Sequence, residues 1–254
     1  MIEICCGSYE DALAAYNGGA KQIELNSALA LGGLTPSLAS LTLTKRQTDL
    51  KVICMVRPRG GGFCYSKKDF EVMMADCQLL LENGADGIAF GFLNSDLTID
   101  INRTQKIIEL IHQYKKEAVF HRAIDVVNDY EASIDLLIEL NINRILTSGQ
   151  KEKAPQAIER LASIQAQYGA RVTFLMGSGV NEKNAVELMQ TTGITNIHSS
   201  CKDWRLDPTA ENHGVSYAYT ESPSGLAYDV VSMDKVRELV RVVGKQKESL
   251  LDNW

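Results

Sequence analysis

The sequence lacks any run of about 20 consecutive apolar residues, the length that a membrane-spanning helix needs. Its first residues lack a basic segment followed by a long apolar run, so we expect no signal peptide. Positive charge is also scarce, since 26 lysines and arginines stand against 32 aspartates and glutamates, a formal net charge of −6. Proteins that hold nucleic acid through its phosphates usually have the opposite balance. We therefore expect no membrane partner and no nucleic-acid partner.

The six cysteines lack the paired CxxC spacing of zinc and redox sites, and they are too sparse for a disulfide scaffold. Reduced cysteines together with the absence of a targeting segment predict a cytoplasmic protein. The chain has 254 residues, of which 45% are hydrophobic, which is enough for one large domain with a full core. Homo-oligomerisation is left open.

Eight short, apolar, β-rich runs recur along the chain with helix-like stretches between them. They begin near Ile2, Gln22, Val52, Gly87, Ala118, Arg144, Val172 and Asn196. Alternation of strands and helices predicts a parallel sheet. Eight such units in about 250 residues match the size of a (β/α)8 TIM barrel. A doubly wound open sheet is the competing arrangement, although it usually has fewer strands.

The last part of the chain differs in composition from the rest. Residues 1–202 are assigned to the barrel, and residues 203–254 to an extension that packs on it within the same domain. Residues 203–230 are polar and predict a loop, with Tyr217, Tyr219 and Tyr228 in it. A loop of that length is either functional or mobile, and this one could cover the barrel mouth. A final helix is expected from about Ser232 to Leu251.

Polar side chains are predicted inside the barrel. Successive side chains of a strand point to opposite faces, and the outward face of a barrel packs on helices. The apolar residues of the first two strands belong on that outward face, so Glu3 and Cys5 of the first strand and Glu24 and Asn26 of the second point inward.

Arg57, His121 and His198 end later strands and are expected at the same mouth. Barrel interiors are normally filled by Val, Ile and Leu, and buried charges are costly unless they are paired. One explanation is an ion-pair network, for example Glu24 with Arg57, that only stabilises the barrel. The alternative is a functional site, because barrel sites form at the C-terminal ends of strands.

An enzyme acting on a small anionic metabolite is one function that these residues support. Glu3, Glu24 and His121 would be its acid and base catalysts, and Arg57 would clamp the substrate. Asp125 would orient His121 or Arg122, unless it is an ordinary carboxylate at a helix start. A variant of this hypothesis has a divalent metal held by Glu3, Glu24 and His198. The reaction class stays open between isomerase, lyase and hydrolase.

Two glycine- and serine-rich segments are typical of an anion site. In TIM barrels the loops after strands 7 and 8 often cradle phosphate with backbone N–H groups. The predicted anion-binding residues are Gly177, Ser178, Gly179, His198 and Ser199, with Ser148 extending the rim and Arg57 or Arg59 facing it. The competing explanation is that the glycines serve tight turns and that the arginines form a solvated basic loop.

Several motifs resemble one known family. They are Ile2-Glu3-Ile4-Cys5, Gly32-Gly33-Leu34-Thr35-Pro36-Ser37, Val56-Arg57-Pro58-Arg59-Gly60-Gly61, Phe120-His121-Arg122-Ala123 and Leu146-Thr147-Ser148-Gly149. In this order they resemble the CutC family, the copper homeostasis family, from residue 1 to about 201. The resemblance implies a TIM barrel, a cytoplasmic location and a role in copper homeostasis, with copper as the ligand.

The chain departs from the family pattern at places that concern copper. The family has I-E-L-C in the second strand, where this chain has Asn26 after Leu25. A cysteine there would face Cys5 across neighbouring strands and bind Cu(I) as a thiolate pair, which Asn26 cannot do. Cys5 is thus the candidate metal ligand, because Cu(I) prefers sulfur and accepts imidazole. Two functions stay open, Cu(I) binding and the enzyme described above.

Overall fold

A computed structural model describes residues 1–218, 222–223 and 225–251, without the side chains of 246–251, and it contains a closed barrel of eight parallel strands. The strands are β1 (Ile2–Cys6), β2 (Gln22–Leu25), β3 (Lys51–Met55), β4 (Gly87–Phe90), β5 (Glu117–Phe120), β6 (Arg144–Thr147), β7 (Thr173–Met176) and β8 (Ile197–Ser199). The barrel closes where β8 pairs with β1, with Ile197 opposite Ile2. The predicted (β/α)8 fold is confirmed, and every predicted strand start lies within one residue of the observed one.

Helices follow the strands around the outside of the barrel. They are α1 (Tyr9–Asn17), α2 (Leu38–Gln47), α3 (Lys67–Glu82), α4 (Ile101–Gln113), α5 (Tyr130–Glu139), α6 (Ile158–Tyr168), α7 (Ala185–Thr192) and α8 (Met233–Leu251). Ser66 and Asp69 form a capping box at the start of α3, where side chain and backbone satisfy each other's free N–H groups. Among the described residues, no helix combines the length and the apolar composition that crossing a membrane requires.

The hydrophobic core has two parts. The larger part lies between the strands and the helices and includes Cys54. The smaller part fills the inside of the barrel with Ile53, Met55, Ala89 and Val119. Residues 53 and 55 therefore point inward and residue 54 outward, as strand alternation requires. By the same alternation, the side chains two residues further along each strand also point inward. They lie above this layer, at the mouth of the barrel.

Charged groups lie deep in the barrel, where their cost is offset by pairing. Arg144 of β6 places Nη1 3.4 Å from Glu3 Oε2 and Nη2 2.7 Å from Glu117 Oε2. The second contact is an ion pair without hydrogen-bond alignment. Gln22 Nε2 donates to Glu3 Oε2 at 2.5 Å. These contacts bind the Glu3 carboxylate from the end of the barrel where the strands begin.

Part of the segment expected to be a loop is paired β-structure, so the expectation is wrong for those residues. β9 (Lys202–Leu206) pairs antiparallel with β12 (Ala227–Val231), and β10 (Glu211–Asn212) pairs with β11 (Val215–Ser216). The β9 and β12 strands lie far apart in the chain, so no local hairpin signal marks them. Tyr219, which was included in the expected loop, lies outside the described residues.

The C-terminal segment is tied to the start of the barrel. The Val231 N–H donates to Asp11 Oδ1 at 2.7 Å, which fixes the end of β12 against α1. α8 then packs on α1, because a Cβ on Gly18 would lie 2.6 Å from Val236. Glycine at this position allows the close approach of the two helices.

Candidate functional site

A buried carboxylate and an imidazole face each other where the barrel closes. Residues 3 and 198 are register partners of β1 and β8, and His198 Nδ1 lies 2.9 Å from Glu3 Oε1. The His198 side chain is 11% exposed and that of Glu3 only 1%. Glu3 thereby binds the ring nitrogen Nδ1, and the other ring nitrogen, Nε2, points away from Glu3.

The environment shifts the pKa of both groups. Burial alone would raise the pKa of Glu3, but the hydrogen bond and charge of His198, with the charge of Arg144, outweigh it and lower this pKa. Burial alone would lower the pKa of His198, but hydrogen bonds to Cys5 and Glu3 and the charge of Glu24 raise it well above its ordinary value. The ion pair of Glu3 and His198 is therefore the favoured form.

The free edge of the imidazole meets two further donors. One ligand atom each from Cys5, Glu24 and His198 lies within 4.8 Å of the others. Glu24 Oε2 is 3.9 Å from Cys5 Sγ and 4.0 Å from His198 Nε2. A thiol, a carboxylate and an imidazole thus converge on one point from β1, β2 and β8. These residues can hold a metal ion, because their chemistry and spacing fit a transition metal.

Burial raises the pKa of both acidic donors, Cys5 and Glu24. It raises the pKa of the Cys5 thiol, with hydrogen bonding and charge from His198 acting in the opposite direction. It also raises the pKa of Glu24, although the charge of His198 opposes this. Metal binding at this point would release protons, since metals bind the deprotonated forms.

Asn26 stands beside these donors rather than among them. Its Nδ2 donates to Glu24 Oε2 at 3.0 Å and lies 3.6 Å from Cys5 Sγ. Its Oδ1 is buried and has no hydrogen-bond partner among the described residues. Residues 5, 24 and 26 thus point inward and lie side by side, as strand alternation predicted.

A cleft of about 690 Å³ opens above the three donors. Cys5 and His198 form part of its lining. The other lining residues include Gly32, Arg122, Ser178, Gly179, Lys183, Ser199, Ser200, Lys202 and Lys235. Ser178, Gly179, His198 and Ser199, four of the predicted anion-binding residues, therefore share one cleft. Gly177 lies below them, where a Cβ would be 3.3 Å from the His198 Cβ.

Arg57 does not face that cleft, contrary to expectation. Its Nη1 donates to the carbonyls of Leu31 and Gly33, and its Nη2 donates to that of Gly61. The turns rich in glycine direct carbonyl oxygens at the guanidinium, which draws it into the wall of the barrel mouth. The ion pair with Glu24 considered from the sequence does not form.

Arg59 also serves its own loop. Its Nε donates to Asp69 Oδ2 at 3.2 Å, and its other donors bind carbonyls of the loop, including that of Cys64. Like Arg57, it does not line the cleft above Cys5. Arg122 is the arginine that does line it.

His121 and Asp125, both proposed as catalytic, lie apart from Glu3 and Glu24. His121 is buried, and its Nδ1 accepts a hydrogen bond from the Ala123 N–H. Burial, assisted by the charge of Arg57, lowers its pKa to about 3, so the ring is neutral.

Asp125 anchors the loop that follows β6. It accepts hydrogen bonds from Thr147 Oγ1 at 2.6 Å, from the backbone and hydroxyl of Ser148, and from the Gln150 N–H. It also pairs with Arg122 at 2.9 Å. Of the two residues it was expected to orient, it orients Arg122 and not His121. Ser148, a predicted anion ligand, uses its hydroxyl in this network.

Sequence reasoning missed Gln22, Arg144 and Glu117, which support Glu3. A signal was available for Gln22 and Glu117, because each lies two positions before an inward residue of its strand, Glu24 and Val119 respectively. All three are the first residues of their strands, away from the C-terminal ends where barrel sites form.

Comparison with known proteins identifies relatives along most of the chain. The model of the CutC family matches residues 1–203. A CutC family protein of Treponema denticola is 42% identical over 241 residues, covering 94% of this chain and 97% of the relative. One from Vibrio vulnificus is 39% identical over 205 residues, covering 81% and 82%. A crystal structure of a CutC protein from Streptococcus agalactiae, assigned to copper homeostasis, has 28% identity and a TM-score of 0.74 over 79% of this chain and 98% of that one.

Proposed function

The chain belongs to the CutC family, and on that premise we propose that it serves copper homeostasis by binding Cu(I) in the mouth of the barrel. Cys5 Sγ and His198 Nε2 are the proposed ligands, with Glu24 as a weaker third donor. The observation that carries the proposal is the convergence of these three donors within 4.8 Å. Copper is the proposed metal because the Streptococcus agalactiae relative is assigned to copper homeostasis.

The donor set suits Cu(I) through its sulfur and its imidazole. Thiolate is the soft ligand that Cu(I) prefers, and imidazole is an acceptable second one. The carboxylate of Glu24 is a harder ligand and adds less. Because cysteine, histidine and carboxylate also bind Zn(II), zinc is the competing metal at the same residues.

The contact between Glu3 and His198 supports a metal role for the imidazole. Histidine ligands commonly donate their second ring N–H to a carboxylate, which fixes the tautomer and makes the ligand more basic. Here Glu3 Oε1 lies 2.9 Å from Nδ1 and leaves Nε2 directed at Cys5 and Glu24. Gln22 and Arg144 hold the carboxylate in turn.

Chelator competition for Cu(I) under anaerobic, reducing conditions tests the proposal. We expect Cys5→Ser to weaken Cu(I) binding by at least about tenfold, because it removes the soft ligand. Cys64→Ser is the matched control, since Cys64 is an exposed cysteine on a loop of the same protein. Equal losses in both variants, or none in either, would refute a site at Cys5. Tighter binding of Zn(II) than of Cu(I) would retain the site and refute copper.

We also propose a cytoplasmic location. All six cysteines are free, and the proposed Cu(I) ligand must be a reduced thiol. A reducing compartment keeps it in that state. Fractionation of cells that produce the tagged full chain tests this, and recovery in an oxidising compartment would contradict it.

An enzyme acting on a small anionic metabolite is the second candidate. The cleft favours it, because it places the thiol of Cys5 and the imidazole of His198 below a rim with Arg122, Lys183 and Lys202. A screen of anionic metabolites for turnover, with Glu24→Gln as the inactive control, tests this function. Turnover that Glu24→Gln abolishes while the wild type shows no specific Cu(I) binding would favour the enzyme over the copper protein.

A further inference from the structure

Arg57 carries a buried charge that nothing in the described part of the chain neutralises. The residue is 5% exposed, and its Nη1 and Nη2 bind only the backbone carbonyls of neighbouring loops. Arg59 differs, because it is more exposed and pairs with Asp69. Buried charges in proteins are normally paired, since an unpaired one loses its hydration without compensation.

Three buried polar atoms in this region have no hydrogen-bond partner among the residues described: Arg57 Nε, Tyr65 Oη and His121 Nε2. Tyr65 is 5% exposed and His121 3%. Because Nδ1 of His121 accepts the Ala123 N–H, the neutral ring carries its hydrogen on Nε2. All three atoms are therefore able to donate a hydrogen bond. A buried donor without a hydrogen bond is costly, so three such donors together indicate that an acceptor binds there.

Phe63 contacts two of these three residues. The Arg57 guanidinium carbon lies 5.4 Å from the centre of the Phe63 ring, and the His121 ring centre lies 4.8 Å from it. The charge of Arg57 helps burial to lower the pKa of His121, while its charge and its closeness to the Tyr65 hydroxyl oppose the rise that burial causes in the pKa of Tyr65. Phe63 itself is half-buried.

Two glycines adapt the surroundings to this arrangement. A Cβ on Gly91, which follows β4, would lie 2.5 Å from His121 Cε1, so only glycine leaves room for the ring. A Cβ on Gly32 would lie 3.1 Å from Arg57 Nη1, and Gly32 also lines the cleft above Cys5. The guanidinium therefore lies directly behind the wall of that cleft.

We propose that Arg57, Tyr65 and His121 bind the oxyanion group, carboxylate or phosphate, of a small ligand, with Phe63 as its cover. The oxyanion supplies the negative charge that Arg57 lacks and accepts hydrogen bonds from the three free donors. This site lies on the side of the mouth formed after β3, β4 and β5, whereas the proposed metal ligands come from β1, β2 and β8. It stands whether or not Cys5 and His198 bind copper.

Arg57 still needs the oxyanion although backbone carbonyls bind it. These contacts explain how the loops after β2 and β3 are held together, but a carbonyl contributes a dipole and no net charge. They also leave Nε free, together with donors on two other residues. A group that only joined loops would need neither His121 Nε2 nor Tyr65 Oη beside it.

NMR titration of the ¹⁵N-labelled full chain with sodium phosphate and, separately, sodium acetate at constant ionic strength tests the site. The guanidinium Nε–H signal of Arg57 reports binding, and that of Arg59, already bonded to Asp69, is the internal control. We expect a saturable shift of Arg57 with at least one anion and none of Arg59. The more tightly bound anion distinguishes a phosphate from a carboxylate ligand. Linear shifts of both signals, or no shift of Arg57, would overturn the proposal.

A variant pair gives an independent measurement. We expect Tyr65→Phe to weaken the anion about tenfold, the loss of one hydrogen bond to a charged group. Its unfolding temperature without anion shows whether the variant is folded. Tyr16→Phe, on α1, is the matched control and should keep the affinity of the wild type. Equal affinities in Tyr65→Phe and the wild type would overturn the assignment of Tyr65 to the site.

Discussion

His198 Nδ1 lies 2.9 Å from Glu3 Oε1 although 195 residues separate the two along the chain. The pairing of β8 with β1 that closes the barrel brings them opposite each other. Glu3 thereby determines which ring nitrogen of His198 is free, and the free one faces Cys5 and Glu24. Closure of the barrel and assembly of the candidate metal site are thus the same structural event.

The first prediction concerns this contact. Glu3→Gln should weaken Cu(I) binding by about 10- to 100-fold, the usual effect of removing a carboxylate that orients a histidine ligand. Chelator competition measures the affinity, and the unfolding temperature shows whether the variant is folded. Glu71→Gln, which removes an exposed carboxylate on α3, is the control and should bind as the wild type does. Unchanged affinity in a folded Glu3→Gln protein would exclude His198 as a ligand positioned by Glu3.

The second prediction concerns Asn26, where the family resemblance implies a cysteine. Asn26 Nδ2 lies 3.6 Å from Cys5 Sγ, so Asn26→Cys places a second sulfur near the first. We expect it to tighten Cu(I) binding by at least about tenfold, because two thiolates are better donors for this ion than one. Asn26→Ser, with a hydroxyl of similar size, should not tighten it. If the cysteine variant binds as the wild type does under reducing conditions, the ligand assignment at Cys5 is wrong.

The third prediction is a pH dependence of stability that originates at His121. Its pKa lies at about 3 in the folded protein, below the ordinary value of 6.5, so the unfolded chain binds the proton more readily. The neutral ring therefore stabilises the fold fully above pH 6.5, and this contribution is lost as the pH falls towards 3. The slope that it adds is at most about 1.4 kcal/mol per pH unit.

Urea unfolding at pH values from 7 to 4 measures this slope. His121→Asn keeps an acceptor for the Ala123 N–H and removes the titration, so the slope should decrease. Identical slopes in the variant and the wild type would show that His121 does not titrate as described.

The fourth prediction separates a structural aspartate from a catalytic one. Asp125→Asn should destabilise the protein by about 3 kcal/mol, because the amide cannot accept from all of Ser148, Gln150 and Arg122 and adds donors where donors already face it.

Asp129 caps the start of α5 by accepting a hydrogen bond from the Ala132 N–H at 3.0 Å. Asp129→Asn is the control and should change stability by less than about 0.5 kcal/mol, since asparagine caps a helix as well as aspartate does. Urea unfolding of both variants compares them. Equal stabilities would contradict the anchoring role of Asp125.

Strand alternation predicted much of the candidate site. Glu3, Cys5, Glu24 and Asn26 were placed inside the barrel from the periodicity of two strands, and the structure places them there. It did not predict which of them would meet His198. A divalent metal site of Glu3, Glu24 and His198 was considered from the sequence, whereas Cys5 takes the place of Glu3, which holds the other side of the imidazole.

The contacts of the long Arg57 side chain at the mouth were predicted less well than the direction in which strand side chains point. Arg57 was expected to clamp an anion beside the loop of Gly177, yet carbonyls of Leu31, Gly33 and Gly61 bind it. A guanidinium reaches several ångströms beyond its strand, so its partners depend on the path of neighbouring loops. Those paths include turns with positive φ, such as that of Gly61, whose direction is not evident from residue types alone.

The sequence by itself determined the barrel and the direction in which each strand residue points. Both follow from local periodicity, which requires only that apolar faces be buried against helices. The tertiary structure alone decided which inward groups meet, because this depends on the register of β8 against β1 and on how loops close over the mouth. It paired Glu3 with His198, directed Nε2 at Cys5 and Glu24, and left Arg57 buried without a counter-charge among the residues described.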